Sequence, residues 1–262
     1  AALLGAMFLM ATSSIGPGFI TQTTQFTVQL GAAFAFAILV SIVIDIALQL
    51  NVWRVIGVSG RRAQELANDV APGLGWVLAG LLLVGGVVFN IGNVAGAGIG
   101  TEALAGIDPR WGAALSAVLA IGIFLSRWAG WAMDRVVVAL GALMLALTLY
   151  VAIVSDPPLA SAARNTIAPE VIEPLAITTL VGGTIGGYII YAGAHRLIDA
   201  GHTGPDQVAA ISRTSVLAII VTGVMRTLLF LAILGVVVSG ADLTGTSQAA
   251  SAFQAAAGDV GL

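Results

Sequence analysis

The sequence predicts an all-α, polytopic membrane protein of seven spans, the first and sixth of them broken. Three observations carry this. Hydrophobic residues make up 58% of the chain and charged residues 9%, whereas a soluble domain is about 25% charged. Apolar runs recur at lengths near the roughly 20 residues that cross a bilayer. Two of those runs are interrupted by glycine and proline. The mean hydropathy is +1.03, and backbone groups in lipid find no water to bond, so the runs are helices.

The first span, about 3–26, contains "SSIGPGFITQTTQF" at 13–26. Pro17 lacks an amide hydrogen and clashes with a preceding turn, and Gly16 and Gly18 hold the backbone loosely. The polar run Thr21–Gln25 is costly in lipid unless it meets partners. The second span, 30–50, carries Asp45, and an acid within a span is functional by default. The third, 74–99, is rich in glycine, which lets helices pack closely in membranes. "DPR" at 108–110 and "SDPP" at 155–158 are turn signals around the fourth and fifth spans, 111–126 and 136–154. A loop with four prolines, 157–174, is expected outside the membrane. The sixth span, 175–197, holds glycines at 182, 183, 186, 187 and 193, then the pair His195–Arg196. The seventh, 214–238, carries Arg226, read as a structural partner for Asp45 or for another segment.

Arginine placement orients the chain. With a cytoplasmic amino terminus, inside loops carry Arg54, Arg61, Arg62, Arg127, Arg135, Arg196 and Arg213, and outside loops only Arg110 and Arg164. That satisfies the positive-inside rule. The expected location is a prokaryotic plasma membrane. The absence of cysteine removes disulfides and thiolate metal sites. No basic patch suits nucleic acid. No His-Glu-x-x-His or Gly-x-Ser-x-Gly motif suggests an enzyme, and no cofactor is implied. The partners expected are lipid and a small ion or small-molecule substrate.

Two interrupted helices, five spans apart, point to an inverted-repeat transporter whose breaks expose backbone groups near the midplane. The breaks are expected near 16–18 and 191–194, side by side. At this point the chain resembles the Nramp (natural resistance-associated macrophage protein) metal transporters. "LGAMF" at 4–8 precedes "GPGF" at 16–19 with the spacing of the family's opening stretch and its Asp-Pro-Gly-Asn motif. "LQLNVWRVIGVSGRRAQELA" at 48–67 resembles the family's next characteristic segment. The resemblance covers nearly the whole chain and is strongest over 4–102. It implies a LeuT-type fold of two five-helix inverted repeats in a single transporter domain. The first repeat would occupy about 1–156 and the start of the second about 175–262, so the chain is expected to hold an incomplete second repeat. It also implies divalent metal transport.

The departures bear on substrate. The family's metal-coordinating Asp and Asn correspond here to Gly16 and Phe19. Its Met-Pro-His in the sixth span has no counterpart in "YIIYAGAH" at 188–195. Its Asp-x-x-Glu of the third span, implicated in proton movement, becomes Asn90 and Asn93, which keep hydrogen bonding but not titration. Dehydrated Mn²⁺ or Fe²⁺ favours donors this site lacks at the usual positions. Three substrates remain open. One is a largely hydrated cation such as Mg²⁺, in a cavity lined by Thr21, Gln22, Asn90 and Asn93. Another is a small organic acid or amino acid, drawn to a half-helix N-terminus, with His195 and Arg196 adding positive charge. The third is a conventional metal held elsewhere. The candidate substrate-binding residues are Gly16, Pro17, Gly18, Phe19, Gln22, Tyr191, Ala192, Gly193 and His195. Coupling candidates are Asn90, Asn93 and Asp45, and the metal ligands are unassigned.

Overall fold

The computed structural model describes residues 7, 10, 11, 13–126, 129–241, 243 and 247–258, and residues 129–138 by their backbone alone. Residues 10–14 are helical as far as they are described, and Ile15 and Gly16 form a bend. Helix α1 then runs Pro17–Leu30. Gly16 is extended, at φ −115° and ψ −176°, and Pro17 sits at the first helical position. There its missing amide costs no hydrogen bond and its fixed φ starts the helix. The tripeptide thus breaks the span at 15–16 and launches a new helix with its own proline. The polar run is accommodated within α1. Thr23, Thr24 and Thr27 donate to the carbonyls of Phe19, Ile20 and Thr23, the back-bonding that lets threonine sit in an apolar helix.

A turn at Gly31, with φ +53°, reverses the chain into α2, Phe34–Ser59. Helix α3, Ala63–Val70, follows, then α4, Leu74–Ala105, and α5, Pro109–Leu125. The Asp108 side chain caps α5 by accepting from the Arg110 amide at 2.8 Å. Helix α6 spans Ala129–Val154 and α7 Leu159–Ile167. The axis turns through 109° between Ala139–Val154 and α7. The expected loop 157–174 therefore contains a helix. The sixth span is α8, Pro174–Ile185, and α9, Ile189–Asp199. Helix α10, Val208–Val238, and α11, Gln248–Ala257, complete the described residues.

The sixth-span break lies at 186–188, not at 191–194. Gly187 has φ +58°, a conformation that side chains disfavour. A Cβ on Gly186 would stand 2.1 Å from the Gly182 carbonyl oxygen. Tyr191, Ala192, Gly193 and His195 belong instead to the continuous helix α9. Gly193 serves packing, since its missing Cβ admits the Trp53 ring, whose Nε1 donates to the Ile190 carbonyl at 2.9 Å.

The core lies where α2 crosses α8, α9 and α10. Helices α2 and α10 run antiparallel: Phe34 packs on Phe230 at 5.9 Å between ring centroids, while at the other end Gly57 receives Ile211. Phe26 stacks beside Phe34 at 5.7 Å, so α1 folds back on α2. Helices α4 and α5 pair with each other and present Trp76, Leu83, Val118 and Phe124 outward, the apolar exterior expected of a bilayer span.

Candidate functional site

The two breaks meet. Ser14 Oγ donates to the Thr184 carbonyl at 2.8 Å, which ties the turn before the first break to the turn before the second. A Cβ on Gly183 would stand 2.4 Å from Gln22 Oε1, so Gln22 lies against the end of α8. Helix α4 closes a side of the site. A Cβ on Gly16 would lie 2.8 Å from Asn93 Oδ1, one on Gly96 would overlap the Pro17 ring, and Gly85 faces Gly187. Gly16, Pro17, Phe19, Gln22 and Asn93 thus gather around one locus.

Asn90 does not join them. It is exposed, and its Nδ2 donates to the Gly86 carbonyl of its own helix at 2.8 Å. His195 lies at the far end of α9, where its Nε2 accepts from the Ala63 amide at 3.4 Å. It steadies the start of α3, in a region where Arg62 and Asp199 form an ion pair at 2.8 Å. Gly18 and Thr21 are exposed on α1.

The site's charges come from the second and seventh spans. Arg226, on α10, is 2% exposed, and its guanidinium carbon stands 4.2 Å from the Phe19 ring centroid. Its Nη1 donates to Thr184 Oγ1 at 3.0 Å. Asp45, on α2, is 1% exposed and lies near Thr184, whose hydroxyl donates to the Leu180 carbonyl of its own helix at 2.8 Å. Asp45 and Arg226 act on each other electrostatically, with Thr184 between them. Among the described residues, three atoms here have no partner: Asp45 Oδ1, Arg226 Nε and Arg226 Nη2. One turn along α2 from Asp45, Gln49 Nε2 donates to the Ser215 carbonyl at 2.9 Å. Gln49 Oε1 and Ser215 Oγ are also unpartnered, so polar atoms continue from Asp45 toward the end of the bundle that holds Arg54. Among the described residues, no three His, Asp or Glu side chains cluster as a metal site would require.

In the sequence Arg226 reads as a structural residue, and Thr184 does not stand out at all. The available signal is an arginine midway along a 31-residue apolar helix. Its meaning depends on Phe19 and Thr184, which come from two other spans.

A family model described as natural resistance-associated macrophage protein-like matches residues 7–261. The chain belongs to the Nramp family. Among relatives, an uncharacterized membrane protein YcsG of Bacillus subtilis is 54% identical over 259 residues, covering 99% of this chain and 64% of that protein. An uncharacterized membrane protein of Haemophilus influenzae is 52% identical over 260 residues, covering 99% of this chain and 66% of that protein. The chain therefore spans just under two thirds of the length of these relatives. A mutant of the Eremococcus coleocola manganese transporter shares the fold at a TM-score of 0.68 and 17% identity, over 94% of this chain and 52% of that one. The same transporter with an aromatic bis-isothiourea compound gives 0.59 at 19% identity, over 91% of this chain and 51% of that one. The Nramp chain is thus an integral membrane protein with a LeuT-type fold, and its broken first and sixth spans are those the sequence points to.

Proposed function

We propose that this Nramp protein is a secondary transporter whose substrate site lies where the two breaks meet, and that it does not coordinate a transition metal through its first span. One observation carries the reading: the Arg226 guanidinium lies on the Phe19 ring at 4.2 Å, beside the break, where the family's resemblance places a metal ligand. Gly16 and Phe19 supply no side-chain donor. A fixed cation repels a divalent one: at 4 Å and an effective dielectric of about 20, two unit charges interact by about 4 kcal/mol, and a divalent ion doubles this. Asp45, buried near Arg226, offsets part of that repulsion.

Family membership favours a second reading, a divalent cation. The structural neighbours are described as manganese transporters, and Gln22 and Asn93 place side-chain oxygens beside the breaks, with Asp45 buried near Arg226. Uptake into proteoliposomes, with Mn²⁺, Mg²⁺ and small organic solutes offered in turn, separates the two. Calorimetric titration should find Mn²⁺ binding weaker than millimolar. Gly16→Asp with Phe19→Asn should strengthen it, because one restored charged contact in a dry site amounts to a few kcal/mol, on the order of a hundredfold in affinity. The carboxylate introduced at position 16 displaces only the flexible end of Asn93. Micromolar Mn²⁺ binding by the unmodified protein, with metal contacts at 16–19, overturns the proposal.

A further inference from the structure

We infer that Arg226 is the recognition group for the carboxylate of a small organic acid, and that the acid also bears a hydrogen-bond donor directed to Gln22. This rests on the reading of the meeting breaks as a substrate site and names the class of substrate.

The inference starts from what Arg226 leaves unused. A guanidinium offers five N–H donors in a rigid plane. Here Nη1 is engaged by Thr184, and the two nitrogens without partners are Nε and Nη2. Those two share one edge of the plane and present parallel N–H bonds, the side-on fork that a carboxylate fills with both oxygens. Phe19 covers a face of the plane, not the edge that carries Nε and Nη2. Deep burial makes an unfilled fork costly, because each unpaired charged donor forfeits its water. Asp45 does not fill it: no direct ion pair joins the two among the described residues, and Asp45 Oδ1 is itself without a partner.

The second half of the inference comes from Gln22. Its Oε1 is buried, unpartnered and held against Gly183, the residue before Thr184. An amide oxygen accepts and does not donate. A ligand spanning from Arg226 to Gln22 therefore carries a carboxylate at one end and an N–H or O–H at the other, the composition of an amino or hydroxy acid. A divalent cation could use the Gln22 oxygen but is repelled by the Arg226 fork, and a bare halide could use only the fork.

The test uses the protein in proteoliposomes with radiolabelled acetate, L-lactate, L-alanine and L-proline, each challenged by its primary amide. The expected result is saturable uptake of at least one hydroxy or amino acid in preference to acetate, with no competition from the amide. Arg226→Lys keeps the charge and loses the fork, so the half-saturation concentration should rise at least tenfold, with the melting temperature checked in parallel. Gln22→Leu should lower the preference for the hydroxy or amino acid over acetate. If Arg226→Lys fails to fold, the discrimination between acid and amide by the unmodified protein decides. Equal uptake of acid and amide, no uptake of any of the four acids, or uptake indifferent to Arg226→Lys each overturns the inference. Uptake of a neutral amide would do so while leaving the small-solute reading standing; saturable Mn²⁺ uptake through residues 16–19 would overturn that reading itself.

Discussion

Thr184 has one hydroxyl and two charged neighbours, and that arrangement limits what the site can accept. Arg226 donates to the hydroxyl from α10, the hydroxyl donates to the Leu180 carbonyl, and Asp45 lies near from α2, with Gln49 one turn further along that helix. With both ionised the locus is neutral. An added carboxylate leaves one uncompensated negative charge in a water-poor site, where isolated charges are expensive. A proton on Asp45 restores neutrality. Entry of a hydroxy acid, which brings no ammonium of its own, should therefore carry a proton, and the predicted carrier is Asp45 rather than Asn90 or Asn93, which do not titrate. A pH-sensitive dye inside proteoliposomes should record acidification when substrate is added. Asp45→Asn should abolish that signal while retaining substrate binding. Acidification that survives Asp45→Asn would rule out this route.

At the scale of the element, the glycines of the sixth span divide the labour. Gly183 makes room for Gln22, Gly186 and Gly187 make the break, and Gly193 makes room for Trp53. The sequence flags this span because five glycines fall in one apolar run, but glycine number alone does not decide a break, since α4 carries eight and runs unbroken. Nor does the sequence reveal which pair interrupts the sixth span, because each role is assigned by a side chain from another span. The first break is legible to within a residue, since Pro17 acts locally through its own ring. The same contrast explains why Asp45 is legible as a buried acid and the Arg226 fork is not. Gly193→Ala would place a Cβ 2.3 Å from Trp53 Cζ2, and overpacking of this kind costs about 1–3 kcal/mol. Its melting temperature should fall, with the substrate half-saturation concentration unchanged, because the position lies in α9 away from the break. A selective loss of substrate affinity at unchanged stability would instead return Gly193 to the binding site.

On the scale of the whole molecule, contacts between distant segments sort the connections to two ends. At one end the Gly204 amide donates to the Gly57 carbonyl at 3.0 Å, Arg54 Nε donates to Ser212 Oγ at 2.8 Å, and Arg62 pairs with Asp199 at 2.8 Å. At the other, the Ser155 carbonyl lies where a Cβ on Gly235 would stand, and α7 packs near the Gly31 turn. The first end gathers the connections that follow the second and sixth spans, as a bundle with alternating spans requires. It also gathers Arg54, Arg61, Arg62, Arg196 and Arg213, so the positive-inside rule predicts that this end faces the cytoplasm. The chain contains no cysteine, so a single introduced thiol reports its own side without background. Val70 and Ile167 are 81% and 83% exposed and belong to opposite ends. In intact cells, a membrane-impermeant maleimide should label Ile167→Cys and spare Val70→Cys until the membrane is permeabilised. The inverse pattern would place the amino terminus outside, and the polar line from Asp45 through Gln49 to Ser215 would then lead to the external face instead of the cytoplasm.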